Sequence, residues 1–243
     1  VAYTAPHWPL HAKKADIQKY RGRFLQGWDK QRQSRYRKML DQDILSQDCP
    51  SLSAGRDWEN LGDPEKDDRD KRMAVYAAQI DSMDQGIGRI IDTLREHDAL
   101  DNTLILFTSD NGASDEHISR RSTRTDLIGT RISFESYGES WAQCSNTPFR
   151  SFKGHTYEGG IAAPLIAHWP DKIQNIGRIC RQTGHVIDIV PTCLQAAGVS
   201  DLHKDNISAS LQGLSLLPWI EDKSAAVSRT LFWEHCANRA VRD

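Results

Sequence analysis

The apolar positions of this chain change period along its length, and each change marks an element. Met73, Tyr76, Ile80, Met83, Ile87, Ile90 and Leu94 recur at three- and four-residue steps. That spacing stacks side chains on one helical face, so it predicts a single long amphipathic helix with a core-facing stripe. Beyond Asp101 and Asn102, the run Thr103-Leu-Ile-Leu-Phe-Thr108 is β-branched and aromatic without alternation, which predicts a short strand buried on both faces. Residues 165–169 predict a second buried strand and residues 231–235 a third. Asp188 predicts the cap of a helix through Pro191 to Ala197, closed by Gly198. A long helix feeding directly into a strand is βαβ-like order, which predicts an α/β fold with a mostly parallel central sheet flanked by helices.

The polar stretches complete the picture. Residues 13–43 are rich in Lys and Arg, with glycine only at Gly22 and Gly27, and predict a pair of surface helices. Residues 46–71, with Pro50, Gly55, Gly62 and Pro64, read as an irregular connection. After Gly112 come about 35 residues rich in Ser, Arg and Gly, too long for an ordinary connector and therefore a functional loop at a rim. Trp141 and Tyr137 lie in it. They offer either a platform for an aryl or sugar ring or pins that hold the loop to the core. Residues 221–229 are polar and linker-like.

Candidate chemistry clusters at two places. Asp110 and Asn111 follow the Thr103 strand, and Gly112 permits a sharp exit. In open α/β sheets ligands sit outside the carboxyl ends of strands, and two adjacent oxygen donors suit a hard cation such as calcium or magnesium; an Asx turn is the structural alternative. The second is Asn146-Thr-Pro-Phe-Arg-Ser-Phe-Lys-Gly-His-Thr-Tyr-Glu-Gly-Gly160.

With Ser109-Asp-Asn-Gly112 and Pro6-His-Trp-Pro9, that segment resembles the sulfatase family of the alkaline-phosphatase-like superfamily, bacterial arylsulfatases above all. Further blocks, among them Ile80-Asp-Ser-Met-Asp84, His185-Val-Ile-Asp-Ile-Val-Pro-Thr192 and Phe232-Trp-Glu-His235, follow in family order. The resemblance implies that Asp110 and Asn111 are ligands of calcium or magnesium, that Lys153 contacts the sulfate, and that His7 contacts the sulfate and the leaving oxygen. Charge gathers on that oxygen as the S–O bond breaks, so an ammonium, an imidazolium and a divalent cation around one tetrahedral group stabilise it. It further implies hydrolysis of sulfate esters on a sulfated small molecule or polysaccharide, and a periplasmic or secreted location.

The family nucleophile is a formylglycine made from Cys or Ser in a Cys/Ser-x-Pro-x-Arg motif, and the sequence has none. Asn146-Thr-Pro-Phe-Arg150 has the spacing with Asn in first place, which cannot become an aldehyde by that route. The expectation is an internal piece of a longer enzyme, with formylglycine and the other metal ligands upstream. Residues 1–222 would be the later part of the catalytic domain, and 223–243 a linker and the start of a small C-terminal antiparallel subdomain. Two other readings stay open: a phosphomono- or phosphodiester hydrolase of the same superfamily, and a pseudo-enzyme that binds sulfated glycans.

Composition narrows the partners. The net charge of -2 provides no basic surface for nucleic acid, and no apolar run approaches the ~20 residues of a membrane span. The oligomeric state is not legible. The five cysteines are odd in number and lack CxxC spacing, which indicates neither a zinc site nor a complete disulfide framework. Cys193, in an apolar helix, is expected to be inert, and Cys144, beside the candidate site, is the thiol to test for reactivity.

Overall fold

Glycine breaks the basic N-terminal stretch where the sequence reading places two helices. A computed structural model describes residues 1–50, 52, 58–119, 125–199, 211–222 and 227–243. Its elements are α1 (Lys14–Tyr20), α2 (Trp28–Asp41), α3 (Asp63–Glu96), β1 (Ile105–Thr108), α4 (Glu139–Ser145), α5 (Glu158–Ile161), β2 (Leu165–His168), α6 (Ile189–Ala196), α7 (Leu217–Ile220), β3 (Leu231–His235) and β4 (Asn238–Arg242). They fall into two compact units, Val1–Asp92 with Asn111–Ala162, and Thr93–Asp110 with Ala163–Asp243.

The first unit is built on α1 to α4. Gly27, at φ +89, separates α1 from α2 in a left-handed conformation, and a Cβ there would lie 2.4 Å from the Trp58 ring. That close approach admits a cluster of edge-to-face aromatics. Trp28 and Trp58 meet at 4.7 Å between ring centroids, and Trp141 meets Trp28 at 5.6 Å and Phe24 at 5.9 Å. Trp141 is fully buried, and its indole N–H donates to the Arg69 carbonyl at 3.1 Å. Tyr137 is buried too and stacks on Tyr76 at 4.6 Å. Neither ring is available to a ligand, so of the two roles open in sequence both take the pin and Trp141 is not a platform for substrate: α4 carries Trp141 inward.

Helix α3 begins at Asp63, within the irregular connection expected over 46–71, because Pro64 occupies its first turn, where a missing N–H costs nothing. The core uses Met73, Ala74, Val75 and Ala78; Ile80 and Ile90 are 38% and 37% exposed, so only the first half of the predicted stripe is core.

The second unit departs further from expectation. β1 pairs with β2 antiparallel, Ile105 opposite His168 and Thr108 opposite Leu165, and β3 with β4 form an antiparallel hairpin. The expected parallel central sheet is therefore not what the described strands form. Among the described residues no strand precedes α3. Nor is either strand buried on both faces: Phe107 of β1 is 40% and Ile166 of β2 61% exposed.

Burial in this unit centres on a carboxylate. Asp188 is fully buried and accepts from the backbone N–H groups of His185 (2.7 Å) and Leu214 (2.8 Å). Arg229 grips it with both terminal nitrogens at 2.9 and 2.5 Å, so the charge is paired and its lone pairs are satisfied. The polar linker expected over 221–229 lies partly outside the described residues, at 223–226.

Candidate functional site

The segment that carries His7 is pinned at both ends. Leu10 is fully buried and donates its N–H to the Glu135 carbonyl at 3.0 Å. From α3, the buried Gln79 donates to the His7 carbonyl at 3.3 Å. Arg72, about two turns earlier on the same face of α3, pairs with the buried Glu135 at 2.9 Å and donates to the Ser136 carbonyl at 2.7 Å. Ser136 in turn bonds the Glu116 carbonyl and accepts from the Ile118 N–H at 2.7 Å. A chain of bonds thus ties the His7 segment, residues 133–136 and residues 116–118 to one helix.

Lys153 is placed by an independent lattice. Its own N–H donates to the Ala113 carbonyl at 2.9 Å, and Ala113 donates to the Asn146 side-chain oxygen at 2.9 Å. The amide of Asn146 then donates to the Ser151 carbonyl at 2.9 Å. Ser151 sits at φ +66, a left-handed conformation that a non-glycine residue holds only when its surroundings fix it. Below this lattice, Gly112 donates to the Gly160 carbonyl at 3.0 Å, and a Cβ on Gly112 would stand 1.7 Å from the Gly159 carbonyl oxygen. Only glycine lets the Asn111 turn and the Lys153 loop touch backbone to backbone.

These two supports bring His7 and Lys153 together although they are 146 positions apart: the Lys153 ammonium lies 3.1 Å from His7 Nε2. His7 Nδ1 lies 2.6 Å from the Trp8 carbonyl oxygen, which can only accept, so Nδ1 carries the ring proton. Nε2 then offers its lone pair to the ammonium. The tautomer follows from the hydrogen-bond geometry. His7 is exposed and Lys153 half-buried, so an anion arriving from solvent meets both.

Asp110 and Asn111 follow β1 after Ser109, the former exposed and the latter half-buried, with the Asn111 amide donating to the Gly112 carbonyl at 2.9 Å. Their oxygens have the hardness that calcium or magnesium requires, but two residues fill only part of a shell of six or more oxygens. Among the described residues no group of three or more His, Cys, Asp or Glu side chains gathers as a metal site.

Cys144 corrects a second expectation. It is 2% exposed, and burial pushes its thiol up to about 11, whereas Cys193 is exposed on α6. Cys144 is therefore not the thiol to test, because α4 turns it into the aromatic core. Asn146, singled out for its place in an Asn-x-Pro-x-Arg pattern, is a brace with both ends of its side chain engaged. Gln79 and Glu116 carried no sequence signal at all.

Comparison with known proteins bears on this arrangement. The model of the Sulfatase family matches residues 1–199. An uncharacterized sulfatase of Schizosaccharomyces pombe is 38% identical over 213 residues, covering 81% of this chain and 38% of that protein. An arylsulfatase of Klebsiella aerogenes is 32% identical over 241 residues, covering 94% of this chain and 50% of that protein. The chain spans half or less of the length of these two relatives. In fold it is similar to Ps i-CgsB, solved in complex with k-i-k-neocarrahexaose, at a TM-score of 0.52 and 22% identity over 91% of this chain and 32% of the other.

Proposed function

This chain belongs to the sulfatase family, and from that premise we propose that the protein carrying it hydrolyses sulfate esters, with Lys153 and His7 as its anion-binding and proton-handling pair. The observation that carries the reading is their meeting at 3.1 Å on supports built from different parts of the chain. A lysine beside a neutral histidine is a latent anion site. When a sulfate ester enters, the ammonium exchanges the imidazole nitrogen for a sulfonyl oxygen, and its charge opposes the negative charge that grows as the ester S–O bond opens. Nε2, released from Lys153, faces the leaving oxygen; it takes up a proton from solvent to form the imidazolium and gives that proton to the leaving oxygen, returning to the neutral ring. The Trp8 carbonyl holds Nδ1–H throughout, so the reactive nitrogen is always Nε2.

Asp110 and Asn111 are the residues that would hold a divalent ion, calcium or magnesium. In this family such an ion supplies Lewis acidity and a formylglycine hydrate the nucleophile; the proposed location of that formylglycine is outside these 243 residues. The proposed substrates are sulfated small molecules or sulfated polysaccharides, of which the neocarrahexaose bound to Ps i-CgsB is a structural analogue in class only. A periplasmic or secreted location is part of the same reading; no helix among the described residues is long and apolar enough to cross a membrane.

The test is sulfate release from 4-nitrophenyl sulfate by the full-length protein, set beside 4-nitrophenyl phosphate. Sulfate release that falls about 10²- to 10³-fold in Lys153→Ala supports the reading. Faster release of phosphate than of sulfate would overturn it in favour of a phosphoester hydrolase. Calorimetric titration gives a readout free of turnover: Asp110→Ala should weaken calcium binding, and unchanged affinity would remove Asp110 from the metal site.

A further inference from the structure

The ring expected to receive the substrate, Trp141, is inside the core, but another tryptophan stands beside His7. Trp8 is half-buried, its ring centroid 5.0 Å from that of His7 and tilted by 41°. Two distant segments hold it. Phe134 meets its edge at 5.7 Å, and Glu116, 108 positions away, accepts the indole N–H at 3.0 Å. Both belong to the bonded lattice that ties residues 116–118 and 133–136 to α3, so the indole is oriented by the same scaffold that places His7.

His7 is the shared neighbour on this surface: its Nε2 faces the Lys153 ammonium at 3.1 Å, and its ring centroid lies 5.0 Å from that of the Trp8 indole. An ester whose sulfonyl group lies on Lys153 and whose bridging oxygen lies on His7 must extend its leaving group past His7. We propose that Trp8 and Glu116 form the leaving-group subsite, which takes the face of an uncharged ring, aryl or pyranose, and selects against a second anionic substituent. This rests on the sulfate-ester reading above. A flat apolar ring face matches an indole held at fixed tilt, since stacking rewards area without demanding a particular hydrogen-bond pattern. The Glu116 carboxylate accepts from the indole and offers a further oxygen to a ring hydroxyl, while repelling a second sulfate. A surface charge acts weakly in water, so its contribution is selectivity of a few-fold and not affinity.

The experiment is steady-state kinetics on the full-length protein with 4-nitrophenyl sulfate, glucosamine 6-sulfate, a doubly sulfated glucosamine and n-hexyl sulfate, together with inhibition by inorganic sulfate. For Trp8→Ala the expected result is an about tenfold higher KM for whichever ring ester the wild type prefers. Hexyl sulfate and the inorganic sulfate inhibition constant should be unchanged, and Trp8→Phe should recover most of the loss. The first two substrates separate the aryl from the pyranose source. For Glu116→Gln, kcat/KM on the doubly sulfated ring should rise about threefold relative to the singly sulfated one. An equal loss on ring and hexyl esters in Trp8→Ala, or loss of inorganic sulfate inhibition with it, would show that Trp8 only supports His7 and would overturn the subsite. If the wild type releases no sulfate from any of these esters, the sulfatase reading itself falls, and the subsite with it.

Discussion

At the residue scale the account turns on donors and acceptors that have one possible assignment. The Trp8 carbonyl can only accept, so His7 Nδ1 is protonated and Nε2 is the nitrogen that meets Lys153. It follows that Lys153→Arg should not restore the activity lost in Lys153→Ala, because a planar guanidinium cannot replace a compact ammonium at 3.1 Å from a ring nitrogen; comparison of kcat/KM for the two variants checks this. Cys144 gives a prediction with a defined sign. Its thiol is held at about 11 against an ordinary 9.0, so between those values the folded state keeps a proton that the unfolded state has lost. Stability from this group is complete below pH 9 and is lost as pH rises toward 11. Urea midpoints measured across that range should fall less steeply in Cys144→Ala than in the wild type, and equal slopes would refute the assignment.

At the element scale the lattice of Asn146, Ala113, Ser151 and Lys153 decides where the ammonium stands. Asn146→Ala removes two side-chain bonds at once and leaves a half-buried N–H and carbonyl without them, a loss of about 1–3 kcal/mol in denaturant titration. Gly112→Ala should be more severe, since its Cβ would fall 1.7 Å from a backbone oxygen that has no rotamer by which to move away. A variant that folds with wild-type stability would show that the two turns are not in contact. Much of this level was legible in sequence. Charged composition with two glycines placed α1 and α2, the apolar period placed most of α3, and α6 forms where expected although the Asp188 carboxylate does not cap it; the Lys153 and His7 motifs were found by resemblance. What sequence could not supply was direction. A short apolar strand looks the same whether its neighbour runs parallel or antiparallel, so β1 lies where the sequence places it but pairs antiparallel with β2. A tryptophan in a polar loop looks the same facing in or out, and Trp141 faces in. Glu116 and Gln79 act through contacts 108 and 72 positions away, which leave no local pattern.

At the scale of the whole molecule, the described residues bring together the proposed anion-binding pair, Lys153 and His7, and the sequence holds no nucleophile in the family motif. The 243-residue chain on its own should therefore release no sulfate from 4-nitrophenyl sulfate in multiple turnover, even with calcium added. Turnover by it that Lys153→Ala abolishes would place a nucleophile among these residues. The central claim, that Lys153 and His7 grip one tetrahedral anion, is tested most directly by a crystal structure of the full-length protein with inorganic sulfate. The account predicts a sulfate whose oxygens lie within about 3 Å of both Lys153 Nζ and His7 Nε2, the former pair separated to admit it. A structure in which sulfate binds elsewhere, with the Lys153 ammonium still on His7 and neither in contact with the anion, would contradict it.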